Sequence, residues 1–173
     1  MHKFRIFVIL VLSMFTYNSY CQFAEDNYQY VLSVDPLMNR KLMANEIMFD
    51  KQEKYLVVNY GNKPSYIIVY ETATWTPVAN FRLSNWVEFT GSYFDYETNQ
   101  IYIKEGRYSS EYYRLDINTG ITDIIGCELA PGGCPVIEPR QAQKSAYTSN
   151  KLMYATINKR NARDVRIYKL KAN

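Results

Sequence analysis

Two cysteines and a scatter of carboxylates are the residues with the most chemistry to offer. Cys127 and Cys134 enclose the short stretch "CELAPGGC". Glu88, Asp95, Glu97 and Glu138 are the acids a glycoside-cleaving site would draw on, because that reaction needs two carboxyl groups about 5 to 10 Å apart. Their spacing singles out no pair. Asp50 and Asp95 each close an apolar stretch and read as turn formers, whose short side chains hydrogen-bond their own backbone. There is no P-loop, no Gly-rich dinucleotide fingerprint after a strand, no GxSxG and no EF-hand loop. The sequence therefore assigns no catalytic residue, no metal ligand and no cofactor.

The N-terminus narrows the chemistry further. Lys3 and Arg5 precede the apolar run "IFVILVLSMF" and the polar stretch "TYNSYCQ", the order of a secretory signal peptide. The run is much shorter than the roughly 20 residues that span a bilayer. Ser19 and Cys21 supply small residues for cleavage before Gln22, so residues 1–21 are expected to leave and 22–173 to form one domain. The competing reading is lipid anchoring at Cys21, although Tyr20 stands where a lipobox wants a small residue. His2, the single histidine, leaves with the signal. Imidazole-based triads and His-ligated metals are thereby excluded. Loss of Lys3 and Arg5 takes the formal charge from +3 to +1, which argues against bulk nucleic-acid binding. Cys127 and Cys134 remain as an even pair in an exported chain and are expected to form a disulfide. The expected location is periplasmic or extracellular, with no membrane-spanning segment after cleavage.

A chain of about 150 residues fits one core. Period-two runs recur throughout, in "KYLVVNY", "SYIIVYE", "QIYIKE", "EYYRLDI", "KLMYATI" and "DVRIYKL". Turn signals such as "YGNKPS", "ETATWTP", "DYETNQ" and "INTG" separate them. The domain reads as all-β.

Two stretches say nearly the same thing, "FDKQEKYLVVNYG" from Phe49 and "FDYETNQIYIKEG" from Phe94, an offset of 45 residues. Leu56 and Val58 fall on Ile101 and Ile103, Gly61 on Gly106, and Tyr70, Glu71 and Thr74 on Leu115, Asp116 and Thr119. Periods of about 40 to 50 with four strands each mark propeller blades. The tract "YYRLDINTGITDII" resembles the quinoprotein-like and WD40-like β-propeller repeats, in which an acidic-x-x-Thr-Gly turn joins the two outer strands. "KLMYATI" and "DVRIYKL" resemble the second and third strands of a further unit. "YVLSVDPLMNRKLMAN" resembles the last two strands of a unit, with Asp35 at its turn. The resemblance implies a propeller-like array of four-stranded antiparallel units, about three blades' worth, with the chain ends pairing to complete one. A β-trefoil and a lipocalin-like barrel fit the same length and strand density.

The resemblance also sorts the loops. Connections from second to third strand and from fourth strand to the next unit share one face, and the former carry Lys63, Arg107, and Lys159 with Arg160 and Arg163. Trp86, Glu88, Tyr108 and the disulfide fall on the same face. Long loops on a rigid scaffold are where binding residues concentrate. The expected function is a non-catalytic binding or scaffolding module of a bacterial envelope. It would engage a protein or an anionic surface glycan through this face or a sheet edge, with a homodimer through the edges also open. The alternative is a secreted carbohydrate-active enzyme. A carboxylate facing Glu88 across a deep pocket would favour the enzyme, and a shallow, tyrosine-rich surface the binding module.

Overall fold

The computed structural model describes residues 27–34, 42–61, 63–106, 109–134, 144–158 and 160–172. The expected signal peptide with Cys21, and Asp35, Arg107, Tyr108, Glu138 and Lys159, lie outside the described residues. What is described is all-β. Its twelve strands are β1 (Tyr28–Val34), β2 (Ala44–Phe49), β3 (Tyr55–Tyr60), β4 (Ser65–Glu71), β5 (Pro77–Leu83), β6 (Glu88–Asp95), β7 (Gln100–Lys104), β8 (Glu111–Asp116), β9 (Thr122–Gly126), β10 (Ser145–Tyr147), β11 (Met153–Ile157) and β12 (Val165–Leu170). A 3-10 turn, Cys127–Leu129, follows β9.

These strands make three four-stranded antiparallel sheets. The middle sheet has the order β2-β3-β4-β5, the distal sheet β6-β7-β8-β9, and the terminal sheet β1-β12-β11-β10. The described strands form three separate sheets and no closed barrel, so the trefoil and lipocalin-like alternatives fall away. The terminal sheet joins the two chain ends, with β1 antiparallel to β12. One detail departs from the sequence reading. Among the described residues the N-terminal stretch supplies a single strand to this sheet instead of two, because Ser145–Tyr147 pairs with β11 and the C-terminal segment already fills three of the four positions.

The repeat is obeyed residue by residue. In the middle sheet Leu56 pairs with Tyr70, Val58 with Ile68 and Asn59 with Ile67. At an offset of 45, Ile101 pairs with Leu115, Ile103 with Tyr113 and Lys104 with Tyr112. At an offset of 98, Tyr154 pairs with Tyr168, Thr156 with Arg166 and Ile157 with Val165. Turn chemistry repeats as well. Asp50 accepts the backbone N–H of Tyr55 at 2.6 Å, and Thr148, its counterpart, accepts that of Met153 at 3.0 Å. Asp95 accepts the N–H of Glu97 at 3.1 Å. These are the turn-forming roles expected of short polar side chains. Gly61 and Gly106 hold φ of 76° and 63° at the same repeat position. At Gly61 a Cβ would also lie 2.8 Å from the Pro64 carbonyl oxygen, so only glycine fits.

Period-two alternation then decides which residues meet. Leu56, Val58, Ile68 and Tyr70 of the middle sheet pack on Ala155, Ile157, Val165 and Ile167 of the terminal sheet. The opposite faces, Tyr55, Val57, Ile67 and Val69, pack on Ile101, Ile103, Tyr113 and Leu115 of the distal sheet. The middle sheet is thus covered on both sides, and every residue of β3 is buried. Fully burying one such side chain contributes about 1.5–3 kcal/mol. The sheets are also stitched at their turns. Asn150 donates to Glu53 from its backbone at 3.0 Å and its amide at 2.6 Å, and the Tyr96 hydroxyl donates to Asp50 at 3.1 Å.

Two of the outer edge strands are irregular. A register shift interrupts β1 between Tyr30 and Leu32, and β5 carries the same shift at its pairing with Val69 and Tyr70. Edge bulges of this kind keep a strand from templating another chain, whereas β9 pairs with β8 without such a shift.

Candidate functional site

The loop residues singled out from sequence do not come together as one described site. Lys63 and Arg160 are exposed and Arg163 is half-buried, on connections that share one end of the sheets. Ala44 donates its N–H to the Ala162 carbonyl at 2.7 Å and Gly61 donates to Met43 at 2.9 Å, so both connections flank the start of β2. Arg107, Tyr108 and Lys159 fall outside the described residues. Trp86 is half-buried, and a Cβ at Gly106 would lie 3.6 Å from its ring, which places the indole against the β7–β8 connection.

Glu88 requires a correction. Sequence put it on a loop, whereas it is the first residue of β6 and only 2% exposed. Its cross-strand partner is Lys104, itself 6% exposed, and not a carboxylate. Glu46, which sequence reasoning passed over, is also buried and accepts the Phe89 N–H at 2.9 Å, tying β2 to β6. A second pair of acids, Glu105 and Glu111, flanks the β7–β8 connection. A hydrogen bond with Glu105 raises the Glu111 carboxyl above the usual range, with burial and the neighbouring charges of Glu105 and Glu128 adding to it. Glu105 also accepts from the Asn85 amide and, at 3.4 Å, from the Tyr113 hydroxyl. The connection expected to present Arg107 therefore carries acids on both sides of it.

The two outward faces of the array differ. That of the distal sheet carries Tyr93, Tyr102 and Tyr112, with Tyr93 stacked on Tyr102 at 5.0 Å and 6°. The segment after β9 folds over them. Cys127 and Cys134 are disulfide-bonded, Cys127 and Ala130 pack on Tyr102 and Tyr112, and Gly132 donates its N–H to the Tyr93 hydroxyl at 2.9 Å. Burial raises all three phenols above their ordinary range. Among the described residues, Cys127, Glu128 and Cys134 make the sole cluster with metal-ligand atoms close together. Its two sulfurs are bonded to each other, so no thiolate is offered.

On the terminal sheet no described segment covers the outward face. One tyrosine from each strand forms a row: Tyr30 on β1, Tyr168 on β12, Tyr154 on β11 and Tyr147 on β10. Neighbouring ring centres lie 5.8, 5.8 and 4.5 Å apart, and Tyr28 leans on Tyr147 and Tyr154 at 6.1 and 5.9 Å. At one end, Tyr30, Ser33, Asp164, Arg166 and Tyr168 line a wide, shallow depression of about 370 Å³. The Asp164 carboxylate accepts from the Asn158 amide at 2.9 Å and from Arg166 Nε at 3.4 Å. Partial burial works to raise this carboxyl, but hydrogen bonds from Ser33, Asn158 and Arg166 outweigh it and hold it below the usual range. A hydrogen bond to Tyr168 and the Asp164 contact hold the Arg166 guanidinium firmly charged. Sequence reasoning missed this face. The signal was present in "KLMYATI" and "DVRIYKL", where Tyr154, Thr156 and Arg166 stand at positions held by aliphatic residues or a tyrosine in the other two units.

No protein-family model matches the chain, and the search of curated proteins finds no match. Among the described residues no helix is long and apolar enough to cross a membrane. The disulfide is compatible with an oxidising compartment outside the cytoplasm.

Proposed function

We propose that this chain is an exported, non-catalytic binding module of the bacterial envelope, built from three propeller-type blades. It engages its partner through the open face of the terminal sheet, with the cationic connections at Lys63, Arg107 and Arg160 as a second contact. The observation that carries the reading is the character of that face. It is shallow, rich in tyrosine, and furnished with one paired carboxylate instead of two facing ones. Aromatic rings with polar rims suit recognition surfaces that are apolar on one side and wet on the other.

A second reading, a secreted carbohydrate-active enzyme, draws its support from the neighbouring carboxyls of Glu105 and Glu111, the latter raised above its usual range. Their direct hydrogen bond is the weakness of that reading, because the two carboxyls of a glycosidase stand about 5 to 10 Å apart around the scissile bond.

Retention of the purified chain on isolated envelope polysaccharide and envelope protein, with reducing-end release measured in parallel, tests both. Retention without release is expected, and release above the buffer control overturns the binding reading. Changing Tyr154 and Tyr168 to Ser should abolish retention. Changing Lys63, Arg107 and Arg160 together to Ser should weaken it several-fold and flatten its salt dependence, since exposed charges act over about 8 Å at physiological ionic strength. Retention lost only in the second variant would return the contact to the loops.

A further inference from the structure

We propose that the open face of the terminal sheet is a binding site for a neutral oligosaccharide, with one sugar ring seated in the depression between Tyr30 and Tyr168. The proposal rests on the binding-module reading and names its ligand class.

The repeat supplies the first argument. Positions 154, 156, 166 and 168 pair with one another as do 56, 58, 68 and 70 in the middle sheet and 101, 103, 113 and 115 in the distal sheet. In those two sheets the positions hold Leu, Val, Ile and Tyr, or Ile, Ile, Tyr and Leu, all buried against the preceding sheet. In the terminal sheet they hold Tyr, Thr, Arg and Tyr, none fully buried. The surface through which the other units stack has here become a surface of rings, hydroxyls and a guanidinium.

Three occupants can be weighed. A second copy stacking as the internal sheets stack would bury Arg166 and Asp164 against apolar side chains, and each ion so desolvated costs several kcal/mol. The area is also too small. Four strands at ~4.8 Å and about six residues at ~3.3 Å give a footprint of roughly 400 Å², about half of the ~800 Å² per partner of a standard interface. An anionic glycan would need spare positive charge, but Arg166 is already paired with Asp164 and the local charge is balanced. A neutral sugar fits what remains. Its ring faces present C–H groups to the flat tyrosines. Its rim of vicinal hydroxyls needs a donor and an acceptor side by side, which Arg166 and Asp164 provide, with Ser33 beside them. The depression of about 370 Å³ lies at the small end of ligand sites, room for one ring. Tyr154 on β11 and Tyr147 on β10, stacked on each other at 4.5 Å, continue the aromatic row past Tyr168 for the neighbouring residues of an extended chain.

Saturation-transfer NMR and titration calorimetry on the full chain are the tests, using cellohexaose, laminarihexaose, mannohexaose and chitohexaose as neutral probes and hexagalacturonate as the anionic one. At least one neutral probe is expected to bind with an affinity that low and high salt leave unchanged. Tyr168→Ala should weaken it on the order of tenfold, and Tyr30→Ala should as well. Tyr168→Phe keeps the packing and guards against a folding artefact; with the ring retained, it should lose only a few-fold. Lys51→Ser, at an exposed turn between β2 and β3, should change nothing. Failure of every neutral probe, tighter binding of hexagalacturonate, or a dimer in light scattering that Tyr168→Ala dissolves would each overturn the proposal. If envelope retention persists while all neutral probes fail, this inference alone falls. If retention itself is absent, the binding-module reading falls with it.

Discussion

The sharpest test of the architecture is a reciprocal swap at one repeat position. Val58 on the middle sheet and Thr156 on the terminal sheet occupy equivalent registers, paired with Ile68 and Arg166. Val58 is 0% exposed and packs on the terminal sheet, while Thr156 is half-buried and donates to the Lys144 carbonyl at a long 3.4 Å. Valine and threonine have nearly the same shape, so exchanging them changes polarity with little change in volume. Val58→Thr buries a hydroxyl among Leu56, Ile68 and Ala155, where the backbone groups are already committed to the ladders. That costs about 1–3 kcal/mol. At ~2–4 °C per kcal/mol for a domain of this size, its melting temperature should fall by about 2–12 °C. Thr156→Val gives up one weak, solvent-facing hydrogen bond and should stay within ~0.5 kcal/mol of the parent. Parallel thermal melts by circular dichroism decide it. If Thr156→Val raised the melting temperature by as much as Val58→Thr lowered it, the terminal face would be covered by another sheet. Both the open array and the binding face drawn from it would then be wrong.

Two further outcomes follow from the capped end and from Asp164. Changing Cys127 and Cys134 together to Ser should cost at most roughly 2.5 kcal/mol from chain entropy, about 5–10 °C in melting temperature, and should open Tyr102 and Tyr112 to acrylamide quenching; unchanged quenching would mean that the segment holds its place without the bond. Because Asp164 is held below its usual range when folded, its contribution to stability is present above the unfolded value of ~3.9 and is lost as pH falls through the depressed folded value. Asp164→Asn should therefore lower the melting temperature near neutral pH by a margin that closes below about pH 4, and a margin independent of pH would show that the carboxylate's charge is not what stabilises it.

The repeat was legible because it rests on residues that backbone geometry demands. Gly61 and Gly106 sit where φ is positive, and Asp50 and Asp95 turn the chain at the same point of each unit, so identities survive there. Hydrophobic alternation placed β3, β4, β7 and β8 for the same reason. The start of β6 was misread because its register shifts between Glu88 and Tyr93. A bulge there breaks the period of two, and "WVEFTGS" then reads as a loop. The outer turns matched through Glu71 with Asp116 and Thr74 with Thr119, and the conformation repeats there without the glycine, since Trp75 holds φ of 57° where its counterpart Gly120 holds 73°. The open face was illegible for a different reason. Alternation in "DVRIYKL" assigns Val165 and Ile167 to one side and Arg166 and Tyr168 to the other. Tyrosine serves equally in a core and on a surface, as Tyr70 and Tyr112 show by being buried, so pattern alone does not say which side another sheet covers.

The two ends of the array are finished by different physics, and this bears on where function sits. At the distal end, a disulfide-closed segment lies on Tyr93, Tyr102 and Tyr112, so that sheet's outer face is sealed by its own chain. A repeat array needs its terminal units closed off in some such way, because each unit has two faces and only inner ones find neighbours. At the terminal end no described segment plays that part, and the face has changed composition instead. It is also the seam where the chain ends meet. Tyr30 and Ser33 come from β1, and Asp164, Arg166 and Tyr168 from the approach to β12 and β12 itself. β1 is the less buried of the two strands at the seam, held mainly by its ladder with β12 and by Leu32 and Val34 against the middle sheet. A ligand in the depression touches both strands and exists only when they are paired. Its binding free energy therefore adds to the closing of the seam, and the segment that most needs support is the one that carries half of the site.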